Sequence, residues 1–487
     1  MTVMQQALTF SQWLQAHQSA LFIGVGVVLV VALGMASLGQ RREGRRPTHG
    51  SGRWATWREA RKAGLVRRHG YPLGMLGHAM LRVVNRHILL VGGTGSMKDR
   101  AHSFPFTAMC PWSMVIVDIK NNEEGGVRTG ESYLHCGRYR QRLGPVYRLA
   151  PGDPTSHAWN PLDVIRVGTD HEFRDVMVTM QSLLDPRKKA TTSSDSGAFW
   201  ERRGAVAGRG VLLYELHTKA AGAATLTHCH ALMNDPAHTL QAMQGHAHPE
   251  VQAQGKRLAE LLCDAERQFM AEWGTAQDAL DLFSDPAIAA ITCRSDFALT
   301  DLQFGPRPMT LYLGAETPED LGYLYPLYRM LLQSTYRVLT TTPGANRRPL
   351  TMLLNEFNEL RWMDILERAP AHARSAQIWF ILVVQDLEQL FTTYGYDTPL
   401  WGNLRVKIFH APDSHDGTAK RLSQMLGKQT ISVVSTTDSE RRSRTHHAIG
   451  REVLTPDEVM GLGPEQVLVW AGLEHPLLLA KPPYWKG

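Results

Sequence analysis

Apolar positions fall into two regimes along this chain. The first is one unbroken run, Ala20 to Leu38, without a charged residue. A helix of that length spans a bilayer core, so a single membrane helix is predicted over 20–38. The second regime is a series of short apolar runs, each closed by polar or glycine-rich residues: 87–91, 113–120 with the charged residues Asp118 and Lys120 at its end, 309–313, 350–354 and 378–384. Runs of this kind read as buried strands of a parallel sheet, whose carboxyl ends meet ligands. Between the first two, 99–111 has the length of a short crossover helix, although Pro105 and Pro111 make it a poor one. A further helix is expected over 321–339. From about 173 to 282 strand patterning disappears and Ala, Leu, His and Glu dominate, which predicts a helical insertion entered through the Ser/Thr/Asp-rich stretch 188–197.

Charge adds a direction. The tail 1–19 carries no Lys or Arg, whereas Arg41, Arg42, Arg45 and Arg46 follow the apolar run directly. The positive-inside rule then places the bulk of the chain in the cytoplasm of a single-pass protein. A cleaved signal peptide would need a charged start and a shorter apolar stretch. Between Arg41 and Arg68 stand ten Lys and Arg against Glu43 and Glu59, so this stretch alone exceeds the net +6 of the whole chain. With Trp54 and Trp57 interleaved, it suits anionic lipid head groups, and nucleic acid for the same electrostatic reason; a solvated topology determinant is the plainer reading. The length, 487 residues, implies more than one globular unit.

The chemistry concentrates after the first short strand, in Gly92-Gly93-Thr94-Gly95-Ser96-Met97-Lys98-Asp99. A P-loop reads G-x-x-x-x-G-K-[ST]: its glycines admit close approach of phosphate, its lysine reaches the β/γ-phosphates and its hydroxyl binds magnesium. Here Lys98 is kept, Met97 replaces the second glycine and Asp99 replaces the hydroxyl residue. Farther on, 350–354 closes on Asn355-Glu356, the position of an Asp-Glu pair that holds magnesium and polarises water. Gln385 closes the next strand, where a γ-phosphate would be sensed.

Other residues have plainer readings. Five widely spaced cysteines without a C-x-x-C pair fit a reduced compartment. His228-Cys229-His230, with His238, His246 and His248, matches no zinc spacing and reads as scattered surface histidines. Trp159 and Trp200 read as core aromatics, and Arg405 and Arg421 as surface charges or, alternatively, arginine fingers. The basic stretch 440–447 has loop composition and either lines a channel for single-stranded DNA or is solvated.

In order along the chain, His49-Gly50-Ser51-Gly52-Arg53-Trp54-Ala55-Thr56, the Gly92 loop, Val117-Asp118-Ile119-Lys120, Gly144-Pro145-Val146-Tyr147-Arg148, Trp159-Asn160-Pro161-Leu162-Asp163, Arg294-Ser295-Asp296-Phe297, Leu354-Asn355-Glu356-Phe357, Gln385 and Leu454-Thr455-Pro456-Asp457-Glu458-Val459 resemble the TraG/TraD-type coupling proteins of type IV secretion and conjugation. The Trp-Asn-Pro-Leu-Asp and Ser-Asp-Phe blocks are the specific part, because P-loop proteins in general lack them.

The resemblance implies an α/β fold: a RecA-like P-loop nucleotide-binding domain with an inserted all-α domain, preceded by one N-terminal transmembrane helix. The corresponding boundaries are a tail over 1–19, the span over 20–38, a basic juxtamembrane segment over 39–80, the nucleotide-binding domain over 81–175 and 296–487, and the insertion over 176–295. It further implies ATP and Mg2+ as cofactors, and a ring, usually a hexamer, at the bacterial inner membrane. The implied partners are inner-membrane lipids, relaxase-bound single-stranded DNA and the type IV secretion channel components. On that mapping Glu356 and Gln385 are catalytic, Gly92, Gly93, Thr94, Gly95, Ser96 and Lys98 bind nucleotide, and Asp99 and Asn355 occupy the metal shell. The departures at Met97, Asp99 and Asn355 lead to an expectation of impaired ATP hydrolysis. The alternative is an active ATP-driven DNA translocase in which Asp99 restores the charge missing at Asn355.

Overall fold

The structure is a computed structural model that describes residues 48–118, 121–122, 129–184, 195–315, 318–344, 346–412, 417–437 and 443–483. The tail and the apolar run 20–38 lie outside the described residues; among the described residues no helix is long and apolar enough to cross a membrane.

The strands in chain order are β1 Tyr71–Leu76, β2 Ala79–Val83, β3 Ile88–Val91, β4 Ser113–Asp118, β5 Asn121–Asn122, β6 Thr129–Gly130, β7 Val146–Leu149 and β8 Thr310–Gly314. They continue with β9 Leu350–Leu354, β10 Ile378–Val384, β11 Val406–Phe409, β12 Lys428–Thr437, β13 Ser443–Glu452, β14 Gln466–Ala471 and β15 Leu477–Ala480. Eleven of these described strands form a mixed sheet in the order β2-β1-β15-β14-β11-β3-β10-β9-β4-β8-β7, while β5–β6 and β12–β13 pair separately. From β11 to β7 every neighbour is parallel, whereas β14, β15, β1 and β2 extend the sheet antiparallel. Every residue of β3, β4, β8, β9, β10 and β11 is buried, as a parallel sheet covered on both faces requires. The short apolar runs of the sequence are β3, β4, β8, β9 and β10, with β11 added by the structure, and an α/β fold with a large parallel-rich sheet follows from them.

Part of the stretch read as juxtamembrane joins that sheet. Thr56 and Glu59 form a capping box that starts helix Trp57–Lys62, and β1 and β2 follow as a hairpin at the sheet edge. The crossover after β3 is a π-helical turn over Asp99–Ser103 leading into helix Phe104–Met109, with Pro105 in its first turn, where its missing N–H costs little. Between β7 and β8 the described chain is helical. Its elements include Glu172–Leu183, Asp195–Thr218, Leu226–Met233, Pro236–Gln244, Pro249–Asp264, Glu266–Leu280 and Pro286–Thr292.

The two blocks specific to the resemblance lock this helical region at its root. The backbone N–H of Ala158 donates to Oδ2 of Asp296 at 2.8 Å, that of Asn160 to Oγ of Ser295 at 2.9 Å, and Ser295 Oγ in turn to Asp163 at 2.6 Å. Asn160, fully buried, caps the N–H of Leu162 and donates to the carbonyl of Ala224. Trp159 is 1% exposed, a core residue as expected.

Residue contacts separate a second unit, Met1–Arg53 with Gln424–Val453. Its described residues are 48–53, 424–437 and 443–453, which include the hairpin β12–β13. The glycines of the first block lie against β12: a Cβ on Gly50 would stand 2.2 Å, and one on Gly52 2.7 Å, from the carbonyl oxygen of Lys428. Ser443 to His447, expected as loop, belong to β13. Paired in the backbone ladder with Val433-Val434-Ser435-Thr436-Thr437, they complete a hairpin that composition alone conceals.

Candidate functional site

The carboxyl ends of β3, β4, β9 and β10 adjoin one another in the sheet, and the candidate residues follow directly from them. Gly92 leaves β3 with its N–H bonded to the carbonyl of Val384, the last residue of β10, at 3.1 Å. A Cβ there would stand 2.7 Å from Ser96 Oγ and 3.1 Å from Cβ of His410, so the loop closes this tightly only over glycine. Gly95 adopts φ +77° with open space around it. Thr94 and Gly95 form an exposed tip, while Gly93 and Ser96 are half-buried. Met97 also lies in the left-handed region, at φ +61°, with its side chain 43% exposed. A residue with a Cβ pays about 1 kcal/mol for that conformation, which the glycine of an intact motif would avoid.

The base of the loop is held by two basic side chains that sequence reasoning missed. The carbonyl of Ser96 accepts from Nζ of Lys481 at 2.7 Å and from Nδ1 of His410 at 3.0 Å. A carbonyl only accepts, so Nδ1 of His410 carries the proton. Burial holds His410 well below the usual histidine range, helped by the charges of His102 and Lys481. His102, fully buried beneath the loop, donates to the carbonyl of Pro72 at 2.8 Å, and burial lowers its pKa to about 4. Lys98 is itself 4% exposed at the end of the loop. No local signal marks Lys481, because β15 reaches the loop only through the antiparallel extension of the sheet.

The metal-shell positions meet in one small cleft. Asp99 and Asn355 line it with Asp118, Glu131, Ser132, Glu356 and Phe104, and its volume of about 10 Å³ is near that needed for one water or small ion. Glu356, at φ +47°, accepts from Nε2 of Gln385 at 3.2 Å, so the two residues expected to be catalytic are in contact. Asp118 lies at the end of β4, where a charged strand end pointed to a ligand without a role being assigned. The N–H groups of Ser132 and Tyr133, at the start of helix Glu131–Leu143, hold its carboxylate at 2.9 and 2.7 Å. Burial nevertheless raises its pKa to about 6. Asn355 donates to Ser132 Oγ at 3.4 Å. The donors Asp99, Asp118, Glu356 and the amide oxygen of Asn355 are all oxygens, the set a hard cation such as magnesium takes. The open tip at Gly93 to Gly95 fits the approach of a phosphate, while Met97 and Asp99 burden it sterically and electrostatically.

Arg421 is not free to act as an arginine finger in this arrangement: its guanidinium lies 4.0 Å from the ring centre of Phe391, with Trp401 and Tyr396 at 5.5 and 5.6 Å. Arg405 is exposed.

Comparison with known proteins bears on the fold and the family. The chain is 28% identical over 472 residues to the conjugal transfer protein TraG of Escherichia coli, covering 86% of this chain and 72% of that protein. It is 25% identical over 491 residues to VirD4 of Rhizobium rhizogenes, covering 96% and 69% respectively. In three dimensions it superposes on the bacterial conjugative coupling protein TrwB with a TM-score of 0.65, covering 90% of this chain and 93% of that one at 19% identity. TrwB in complex with ADP and Mg2+ gives a TM-score of 0.63, with 19% identity and coverage of 90% and 95%. Residues 51–487 match the family described as type IV secretory system conjugative DNA transfer, and the chain belongs to that family.

Proposed function

We propose that this chain is a coupling protein that recruits a DNA–protein substrate to a type IV secretion channel, and that its own ATP hydrolysis is impaired. The coupling role rests on the family, on likeness to TraG and VirD4, and on the interlocked Trp159–Asp163 and Ser295–Phe297 blocks. On this reading the partners are relaxase-bound single-stranded DNA, the secretion channel, and further copies of the chain in a hexameric ring. An anchor over 20–38 and the basic segment behind it hold the ring at inner-membrane lipids, with the bulk of the chain in the cytoplasm.

One observation carries the impairment: both altered metal-shell residues, Asp99 and Asn355, face the same cleft beside Asp118, Glu131 and Glu356. The motif's hydroxyl has become a carboxylate at the place where a triphosphate needs positive charge. Lys98, with the backbone of Gly92 to Ser96, would hold the phosphates, and magnesium would screen them from these carboxylates. Glu356, oriented by Gln385, would accept a proton from water. The same observation favours a second reading, an active translocase, because Asp99 stands where it can replace the charge that Asn355 lacks.

Conjugative transfer tests the role. Deleting the chain from a donor is expected to abolish transfer, and both the wild type and Lys98→Ala are expected to restore it. Undiminished transfer without the chain would overturn the coupling role; failure of Lys98→Ala alone, with the protein present at wild-type level, would overturn the impairment.

A further inference from the structure

Away from the sheet, three side chains from separate helices converge. Glu172 opens helix Glu172–Leu183, His217 stands in the last turn of Asp195–Thr218, and His248 immediately precedes Pro249–Asp264 as its N-cap. Three ligand atoms, one from each residue, lie within 4.8 Å of one another: a carboxylate oxygen and two ring nitrogens. Glu172 Oε1, His217 Nε2 and His248 Nδ1 are each buried and without a hydrogen-bond partner. The Glu172 and His217 atoms approach to 2.8 Å, but off the line of a ring N–H. The two imidazoles stack at 4.0 Å between centroids, 24° from parallel. Upstream, Nδ1 of His246 accepts from the backbone N–H of His248 at 3.1 Å, which fixes the turn that presents His248.

Buried polar atoms without partners cost about 1–3 kcal/mol each, so an arrangement that leaves several of them facing one point calls for something at that point. A simple Glu–His ion pair accounts for two of the atoms and leaves His248 Nδ1 unanswered. We propose that Glu172, His217 and His248 form a binding site for a divalent transition metal, with zinc the ion best matched. Two imidazole nitrogens and one carboxylate oxygen suit zinc, whereas magnesium and calcium take oxygen sets. Ligand bonds of about 2.0–2.1 Å bring donors to roughly 3.3 Å from one another, a contraction that side-chain rotation can supply. Three protein ligands leave a fourth position for water. The metal ties together the ends of three helices, and none of its ligands belongs to the cleft at Asp99 and Asn355.

The test uses the full-length protein, stripped with a chelator and titrated with zinc chloride against a chromophoric competitor, then with Co2+ to read visible d–d bands. Saturation at one equivalent is expected, with tetrahedral cobalt bands and a raised melting temperature. His217→Gln and His248→Gln are each expected to weaken zinc by more than about tenfold, since loss of even an outer-shell partner weakens a metal site that far. Circular dichroism of the metal-free variants controls for folding, and Glu172→Gln, nearly isosteric, provides an independent variant. Exposed Cys263 and Cys293 offer an adventitious thiol site, which the histidine variants would leave untouched. Absence of saturable binding, an octahedral cobalt spectrum, or undiminished affinity in folded His217→Gln and His248→Gln would overturn the proposal.

Discussion

Replacing Asp99 by Asn removes one charge from the cleft while keeping the shape of the side chain. Asp99 shares that cleft with Asn355 and Glu356, where the metal and the terminal phosphates of a nucleotide would meet. A carboxylate and a phosphate oxygen about 4 Å apart repel by about 4 kcal/mol at an effective dielectric near 20. Asp99 is half-buried rather than sealed off, so solvent screening reduces this to roughly half, about 2 kcal/mol. That corresponds to about thirtyfold in Kd. The assay is fluorescence titration with a labelled ATP analogue, in chelator and then in excess Mg2+. Asp99→Asn is expected to tighten binding about thirtyfold without magnesium and by less with it, because the cation already screens the charge. If Asp99→Asn instead weakens binding in magnesium and leaves the metal-free affinity unchanged, Asp99 is a metal ligand and the repulsion argument fails.

Two further predictions concern the framework of the site. His102 has a folded-state pKa of about 4 against 6.5 for the free side chain, so the unfolded chain binds the proton first as pH falls. Stability present above pH 6.5 is therefore lost between 6.5 and about 4, amounting to about 2 kcal/mol at pH 5. Urea unfolding at pH 7 and pH 5 measures it, and His102→Gln, whose amide still donates to Pro72, should remove that part of the slope although Asp99, His410 and Lys481 titrate or carry charge nearby. Asn160→Ala deletes the cap on Leu162 and the bond to Ala224, leaving buried backbone groups unpaired, and should cost about 2 kcal/mol in denaturant unfolding. Limited proteolysis of that variant should cut first in the helical region between β7 and β8; a wild-type cleavage pattern would show that the clamp does not anchor it.

In the parallel half of the sheet β3, β4, β8, β9 and β10 were legible because each is buried along its length and therefore reads as a largely apolar run, whereas β7 and β11, interrupted by Arg148 and Lys407, were not. Loop, Asn355, Glu356 and Gln385 followed as the polar residues that end such runs. The antiparallel half was not legible, since Met75 pairs with Ala480 and Val406 with Ala471 across separations that no local pattern encodes. Lys481 owes its place under the loop to those pairings, and His410 to the parallel pairing of β11 with β3. Asp118 was visible as a strand-end acid, but its role depends on helix Glu131–Leu143 returning its first N–H groups to the carboxylate. Met97 showed as a departure from a motif; that it occupies a left-handed conformation emerged only from the backbone. Glu172, His217 and His248 share no spacing rule because three helices bring them together; of the three, only His248 stood in the group of histidines that read as scattered.

Steady-state ATP hydrolysis by the full-length protein bears most directly on the impaired site, with Met97→Gly/Asp99→Thr/Asn355→Asp as the restored comparison. Impairment predicts no turnover by the native chain above that of Lys98→Ala, and Lys98-dependent turnover in the restored triple variant. Hydrolysis by the native chain that Lys98→Ala abolishes would contradict it and establish the protein as a motor.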